Sequence, residues 1–409
     1  MMRVIVVGGG AAGLMAAGQA ALRGFDVVLI ERNERCARKV MITGKGRCNV
    51  TNACDRDTFF SNVPEHSRFL YSAFSKFSTA DTMEFFESRH VPLKIERGNR
   101  VFPVSDKAVD IVDALVRFVK DAGVRVQHGR VTELIVEDGV CCGVKLEDGA
   151  EMDAYAVVIC TGGCSYPQTG STGDGYALAA KAGHTIVPPR PSLVPLVSLD
   201  GWCRELQGLS LKNCGCRVVD ETSGRCIFED LGEMLFTHFG ISGPMVLSAS
   251  AHMRQMAPER YTFHIDWKPG LSEEQLDRRI VQDFELFRNH DFANSLGKLL
   301  PQKVIPVIVR LSGIPGDLKC HSVTRQQRAA LVHLLKDHVV HIEGFRPIEE
   351  AIVTSGGVAV EEVNASTMAS RLVDGLYFAG EVLDLDAYTG GFNLQIAFST
   401  GYTAGNSIE

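Results

Sequence analysis

The chain opens with Val4-Ile5-Val6-Val7-Gly8-Gly9-Gly10-Ala11-Ala12-Gly13, an apolar run that passes directly into a glycine-rich loop. The run predicts a buried strand over 3–8, and the residues after the loop predict a helix over 11–23. In such a unit Gly8 permits a tight turn, Gly10 lets the backbone approach a pyrophosphate, and Gly13 allows close helix–strand packing. Free N–H groups at the helix start favour an anion. The stretch therefore predicts a dinucleotide-binding site.

The second predicted strand, Phe25 to Ile30, ends at Glu31, where an acid can accept hydrogen bonds from a ribose. A purely structural glycine turn would leave Glu31 unexplained. Six cations follow between residues 32 and 47, and such a run is commonly a solvated face. Two of them, Arg32 and Lys39, are predicted to balance anionic charge near the adenosine or the pyrophosphate. The predicted cofactor residues at this end are Gly8, Gly10, Ala11, Ala12, Gly13, Glu31, Arg32 and Lys39.

A second motif lies near the other end of the chain, where Leu376-Tyr377-Phe378-Ala379 runs into Gly380-Glu381. The first loop alone suits NAD or FAD, but an acid after a late strand suits the ribityl hydroxyls of an extended FAD. Flavin domains usually carry Gly-Asp here, and the longer arm of Glu381 should still reach. A helix that starts near Gly391 would direct N–H groups at the negative charge of reduced flavin. The predicted FAD contacts at this end are Gly380, Glu381, Gly391, Phe392, Asn393 and Leu394.

Three internal segments complete the predicted cofactor set. Thr161-Gly162-Gly163 follows the apolar strand 156–159, as expected where a flavin domain passes close to its cofactor. The loop 43–52 is rich in glycine and short polar side chains, which suits a flat ring or a phosphate, although an ordinary connection is the alternative. The residues assigned from these segments and from the strand pattern over 124–136 are Arg47, Cys48, Val131, Thr161, Gly162 and Gly163.

Composition excludes several classes of function. The 409 residues predict two or three domains, and a net charge of −7 argues against nucleic acid as a partner. Twelve cysteines include no CxxC pair, so no metal site is expected, and free thiols fit a reducing cytoplasm. No apolar run reaches the length of a membrane span. We therefore expect a cytoplasmic protein that acts on a small molecule.

The pattern of elements predicts an interrupted α/β fold. Prolines between 188 and 195 mark a boundary, after which residues 193–268 show short strands and residues 271–340 show helical periodicity. The α/β pattern returns over 342–409. The prediction is an FAD-binding domain in two parts, 1–190 and 341–409, separated by a β-rich domain over 191–270 and a helical domain over 271–340.

Several segments resemble a bacterial family of FAD-dependent oxidoreductases of the aminoacetone-oxidase-like type. They are Ile42–Asn52, Arg100–Lys107, Phe236–Pro244 and Thr354–Gln395. The resemblance implies a Rossmann-type FAD domain that carries an inserted β-barrel-like domain and a helical domain. One branch of the family reduces the Δ4,6 double bonds of 3-dehydro bile acids, which implies a steroid-like enone as substrate and a role in bile-acid catabolism.

The leading functional hypothesis is reduction of a conjugated carbon–carbon double bond, with NAD(P)H as electron donor and FAD as carrier. Tyr388 lies close in sequence to the predicted flavin-facing turn and is the candidate acid, with simple packing as the alternative. The chain has no second strand–GxGxxG–helix unit for a nicotinamide cofactor. A flavin-dependent amine or aminoketone oxidase therefore remains an alternative, as does a flavin-containing binding or redox-sensing protein.

Overall fold

The computed structural model describes residues 2–409, which form two compact units. The first unit extends to Ser192 and resumes over Pro347–Glu409, and the second is Leu193–Arg346. The strands of the first segment are β1 (Arg3–Val7), β2 (Asp26–Glu31), β3 (Thr51–Asn52), β4 (Leu93–Glu96), β5 (Arg100–Pro103), β6 (Arg125–His128), β7 (Val131–Glu137), β8 (Val140–Leu146), β9 (Glu151–Asp153), β10 (Ala156–Ile159) and β11 (Ile186–Ser192). Its helices are α1 (Ala11–Leu22), α2 (Arg38–Ile42), α3 (Arg56–Ser61), α4 (Tyr71–Lys76), α5 (Thr79–Glu87), α6 (Ala108–Asp121) and α7 (Asp174–Lys181).

The second unit holds six strands and six helices among its described residues. The strands are β12 (Leu196–Ser198), β13 (Ser210–Asp220), β14 (Arg225–Phe236), β15 (Gly240–Ser242), β16 (Tyr261–Asp266) and β17 (His338–Phe345). The helices are α8 (Gly201–Glu205), α9 (Pro244–Ser250), α10 (Glu273–Leu286), α11 (Phe292–Ser295), α12 (Ile305–Ser312) and α13 (Arg325–Lys336). The first unit then resumes with β18 (Val353–Val358), β19 (Leu376–Phe378) and α14 (Phe392–Asn406).

A five-stranded parallel sheet in the order β19-β10-β1-β2-β6 forms the centre of the first unit. Its central strands are buried along nearly their whole length, as a parallel sheet covered by helices requires. The carboxyl ends of parallel strands share one edge. The loops after β1, β2, β10 and β19 therefore meet there, although the first and the last are far apart in the sequence.

The second unit is a closed barrel with strand order β12-β15-β14-β13-β16-β17 and helices packed on it. The α/β fold with an inserted barrel is thus confirmed. The division of the insertion differs from the prediction, because β17 follows the helical segment and closes the barrel between β12 and β16. Residues from α10 and α13, such as Leu276 and Leu331, share one core with the strands. The predicted segments 191–270 and 271–340 therefore lie in one compact unit.

Two observations concern the described residues as a whole. Over 2–409, none of the helices has the length and apolar character that crossing a bilayer requires. Within the same range, no group of three or more His, Cys, Asp and Glu side chains is arranged to hold a metal ion.

Helices α1 and α14 pack in unusually close contact, and glycine makes this possible. A Cβ placed on Gly401 would lie 2.4 Å from the carbonyl oxygen of Ala12, and one on Gly405 would lie 2.4 Å from that of Ala16. Both distances are far inside van der Waals contact. The Gly380 N–H donates to the Thr400 hydroxyl at 3.0 Å, so the contact at Gly401 lies beside the start of α1 and the Gly380-Glu381 turn and fixes their relative position.

Substitution Gly401→Ala should therefore destabilise the first unit. Alanine favours a helix by about 1 kcal/mol over glycine, but the clash with Ala12 forces the helices apart, and overpacking costs about 1–3 kcal/mol. We expect a lower midpoint of urea unfolding. Gly201→Ala is the matched control, because Gly201 is also helical and has nothing within 4 Å of its Cβ position. Equal midpoints for the two variants would contradict this account of the helix contact.

Candidate functional site

The glycine loop after β1 is closed by packing at one position and open at another. A Cβ on Gly13 would lie 1.8 Å from the carbonyl oxygen of Gly8, so position 13 is closed by packing. Gly10, by contrast, has nothing within 4 Å of its Cβ position and serves as the N-cap of α1. The first N–H groups of α1 therefore begin beside an open space. Ala11 and Ala12 are the first two residues of α1, and the cofactor role of this loop stays a prediction.

Glu31 closes the loop from the end of β2. Its Oε2 accepts a hydrogen bond from the Gly9 N–H at 2.7 Å, and its Oε1 accepts from the backbone N–H and the side-chain amide of Asn33 at 2.8 and 2.7 Å. The residue is 7% exposed. Beside it, burial and the Glu31 charge raise the pKa of the Cys36 thiol to about 11. Glu31 thus fixes the loop and keeps lone pairs for a further donor such as a ribose hydroxyl.

Glu381 lies at the centre of a second polar network on the same sheet edge. Its Oε1 accepts hydrogen bonds from the Thr354 N–H at 2.8 Å and from the Ser165 hydroxyl at 3.1 Å. Lys39 Nζ donates to both carboxylate oxygens, at 2.9 and 2.7 Å, and to Ser165 at 2.6 Å. Both charged side chains are about four-fifths buried, with 22% and 21% of their surface exposed. The carboxylate is therefore held rigidly by one cation and two neutral donors.

Glycine is again required for this arrangement. A Cβ on Gly163 would lie 2.4 Å from the Thr354 hydroxyl and 3.1 Å from Glu381 Oε1. Thr161, two residues earlier, has a buried hydroxyl with no hydrogen-bond partner among residues 2–409. An unpaired buried hydroxyl is costly unless a ligand supplies its partner. The predicted Thr161-Gly162-Gly163 segment therefore lies beside Glu381 and offers a free polar group.

The turn before α14 is fixed by side chains rather than by a regular element. Gly391 is the N-cap, with a left-handed φ of 99°. The Asn393 side chain accepts from the Ala387 N–H at 2.9 Å and donates to the Ala387 carbonyl at 2.7 Å. The Tyr388 N–H donates to the Asn62 carbonyl at 3.0 Å. Phe392 and Leu394 occupy the first turn of the helix, so the predicted helix start is found together with a rigid turn that carries Tyr388.

Other predicted residues already have protein partners. Arg32 donates to Asp174 at 3.1 Å, and Arg47 donates to Glu96 and Asp106, each at 2.5 Å. Cys48 is fully buried, and burial raises the pKa of its thiol to about 12. Val131 begins β7 with its side chain in the core, which leaves only its backbone for a cofactor. Lys39 lies at Glu381, whereas the sequence placed it near the adenosine or the pyrophosphate.

The sequence interpretation missed two partners of Glu381 and one buried acid that follows it in the chain. Ser165 and Thr354 hold Glu381, and no local pattern marks them, because each contact joins distant segments. Asp384, three residues after Glu381, is buried, and this burial raises its pKa, while His66 Nε2 at 3.3 Å acts in the opposite direction. Its position directly after the Gly-Glu motif was the available signal. The segment thus carries a buried acid in addition to Tyr388.

Comparison with known proteins assigns the family. The model described as the HI0933-like protein Rossmann domain matches residues 2–407. The 3-dehydro-bile acid delta(4,6)-reductase of Clostridium scindens is 31% identical, with 100% of this chain and 99% of that protein covered. The ribosomal RNA dihydrouridine synthase of Escherichia coli is 29% identical, with 99% and 97% covered.

A solved structure shares the fold. The 3-ketosteroid delta1-dehydrogenase of Sterolibacterium denitrificans is similar with a TM-score of 0.53 and 12% identity, and 100% of this chain and 99% of that chain are covered. The family model covers nearly every residue, and the relative that is 31% identical is matched over almost its whole length. The chain therefore belongs to the HI0933-like family of Rossmann-fold oxidoreductases.

Proposed function

We propose that the protein is an FAD-dependent reductase of carbon–carbon double bonds conjugated to a carbonyl group, with NAD(P)H as electron donor. The observation that carries the proposal is that Glu31 and Glu381 follow strands that end at one sheet edge, and that the chain leads from Glu381 into the start of α14. A dinucleotide without a flavin requires only the first of these features. The presence of all three favours an extended FAD.

These residues fit successive parts of an FAD molecule along its length. The open backbone at Gly10 suits the pyrophosphate, and Glu31 suits the adenosine ribose. Glu381, fixed by Lys39, suits the ribityl hydroxyls, and the N–H groups at the start of α14 suit negative charge on the ring. When bound, FAD would carry electrons from the donor to the substrate. The protein's own share is binding, orientation and proton supply.

The substrate class follows from the chemistry that the two full-length relatives have in common. One is named for reduction of the Δ4,6 bonds of a 3-dehydro bile acid, and the other for formation of dihydrouridine. Each name describes saturation of a carbon–carbon bond conjugated with a carbonyl. We propose the same class here. A 3-dehydro bile acid is the narrower proposal for the substrate, and it rests on the 31% identity.

Tyr388 is the proposed proton donor. Phenols, whose ordinary pKa is near 10, are protonated at neutral pH and can supply the proton that follows hydride addition. The Tyr388 N–H bond to Asn62 and the Asn393 bonds to Ala387 hold its turn in one position. The side chain is partly exposed at the segment that leads into α14.

Anaerobic spectroscopy tests the proposed reaction. NADH or NADPH should bleach the flavin absorbance of the holoenzyme, and an enone should restore it. The acceptor panel contains a 3-oxo-4,6-diene bile acid, a simple steroid enone and a uridine-containing RNA. Bleaching by an amine or aminoketone without NAD(P)H would instead establish an oxidase, and a flavin that no donor reduces would contradict both enzymatic functions.

Tyr388→Phe should lower kcat for enone reduction by about 10²-fold, because general acid catalysis contributes about that much. Reduction of the flavin by NAD(P)H should be unchanged, since that half-reaction needs no protein acid. Tyr155→Phe serves as control, because Tyr155 is 46% exposed and lies away from the turn. Full turnover with an unaltered pH profile in Tyr388→Phe would exclude the role.

Lys39→Met should weaken FAD binding by about ten-fold, because Glu381 would lose a charge-assisted partner that is only partly screened by water. Arg38→Met is the matched control, since it removes the same charge from the neighbouring position of α2, where Arg38 donates to Asn33. Fluorescence titration of the apoprotein with FAD gives both dissociation constants. Equal losses in the two variants would show a general charge effect and reject the specific role of Lys39.

A further inference from the structure

We propose that Lys45, Arg97 and Arg100 form a binding surface for phosphate esters beside the start of α14, here termed the phosphate rim. The importance of this location rests on the proposed function, which puts the flavin ring at the same turn. The ligand class is a phosphodiester or a pyrophosphate. It has two sources in this chemistry, namely the dinucleotide that donates electrons and the backbone of an RNA substrate.

The first argument is position. The Asn52 side-chain amide donates to the Gly98 carbonyl and to the Gly390 carbonyl, both at 3.0 Å. The Ala53 N–H also donates to the Asn99 carbonyl at 2.7 Å. The Asn52 side chain therefore bridges the turn between β4 and β5 and the turn that precedes α14. A ligand that reaches α14 from this side passes the rim.

The second argument is convergence on one aromatic ring. The guanidinium carbon of Arg47 lies 4.1 Å from the centroid of the Phe102 ring, and that of Arg100 lies 6.0 Å from it. A Cβ on Gly44 would lie 3.3 Å from the same ring, so the turn with Lys45 belongs to this group. Arg100 Nε also donates to the Arg97 carbonyl at 3.1 Å. The cations of two sequence-distant loops are thus gathered around Phe102.

The third argument is the local charge. Arg47 and Lys94 are matched by Glu96 and Asp106, with Lys94 Nζ 2.6 Å from Asp106. The rim residues Lys45, Arg97 and Arg100 are exposed and form no ion pair among residues 2–409. Exposed like charges carried on adjoining turns repel one another, and an anion would relieve this repulsion. The surplus is local, because the whole chain has a net charge of −7.

The surroundings favour a nucleotide over a simple carboxylate. Three large apolar side chains next to the rim are exposed, namely Met41 at 39%, Ile42 at 44% and Ile95 at 55%. A nucleotide presents a flat base for apolar contact and phosphates for arginine and lysine. A steroid carboxylate carries one charge and would leave two of the three cations unmatched. The rim therefore fits a ligand with several phosphate charges.

The test compares two triple variants of the oxidised holoenzyme. Lys45→Gln/Arg97→Gln/Arg100→Gln removes the rim, and Arg117→Gln/Lys120→Gln/Lys181→Gln removes three exposed cations from α6 and α7. Dissociation constants are measured for NAD⁺ and NADP⁺, which carry the phosphates of the donor but cannot reduce the flavin, and for a single-stranded RNA of about twelve nucleotides, each at several salt concentrations. Inorganic pyrophosphate is the competitor. Flavin content and absorbance confirm that each variant is folded and loaded.

The rim variant should bind at least one of these ligands about ten-fold more weakly than the control triple does. Its plot of log Kd against log salt should be flatter by about 0.7 for each phosphate that the variant no longer neutralises. Weakening confined to the dinucleotides identifies the donor as the source, and weakening confined to RNA identifies the substrate. Equal dissociation constants in the two triples, or a wild-type protein that binds none of the ligands, would overturn the proposal. Because binding is measured without turnover, a failure of the proposed reaction remains separately visible.

Discussion

The parallel pairing of β19 with β10 is the constraint on which the candidate site depends. Three residues of β19 align with β10, with Ile159 opposite Phe378, and the Ala379 N–H extends the ladder to Ile159. Side chains alternate between the two faces of a sheet, so a shift of one residue would exchange those faces and move Glu381 away from Lys39. The buried surface of Leu376 and Phe378 specifies the register. Burial of the apolar side chains of β19 therefore sets the position of Glu381 relative to Lys39.

The parts of this site that the sequence predicts are those with a local signal. The strand, glycine loop and helix at 3–23 are contiguous, and each glycine has a steric role that its position implies. Glu31 and Glu381 were recognisable because each ends an apolar strand. Parallel pairing then follows from the general rule that crossover connections return to the same sheet.

The remaining parts depend on contacts between distant segments. Ser165 and Thr354 meet Glu381 across separations of 216 and 27 residues, and no local pattern singles out either residue as a partner of Glu381. The sequence predicts Lys39 near the adenosine or the pyrophosphate, whereas the structure pairs it with Glu381, because a run of cations does not reveal which acid each one will face. The barrel shows the same limit, since β17 pairs with strands that lie far before it in the chain. The periodicity of apolar residues indicates a local helix or strand, but it does not indicate which distant strands pair to close a barrel.

Charge illustrates how a global property can mislead about a local surface. A net charge of −7 argues against nucleic acid for the chain as a whole. Its acids, however, are largely matched near the site. Glu381 is compensated by Lys39, Glu96 and Asp106 by Arg47 and Lys94, and Asp174 by Arg32 and Arg130. The field near a site is set by the charges that remain unmatched there, and around Phe102 these are cations.

The separation between the phosphate rim and the sheet edge that carries Glu31 and Glu381 also bears on which substrates the members of the family accept. Two relatives with nearly equal identity, 31% and 29%, are named for substrates as different as a bile acid and ribosomal RNA. Overall identity cannot decide between them, because the task proposed for the glycine loop, Glu31 and Glu381 is to hold FAD, and flavin-binding relatives with different substrates would share it. Discrimination must come from residues that contact the substrate and not the cofactor. A steroid requires an apolar surface with at most one cation, whereas a polyanion requires several unmatched cations near the reacting bond. By that criterion Lys45, Arg97 and Arg100 report on this chain's substrate where the rim's ligand is RNA, and on its electron donor where the ligand is a dinucleotide.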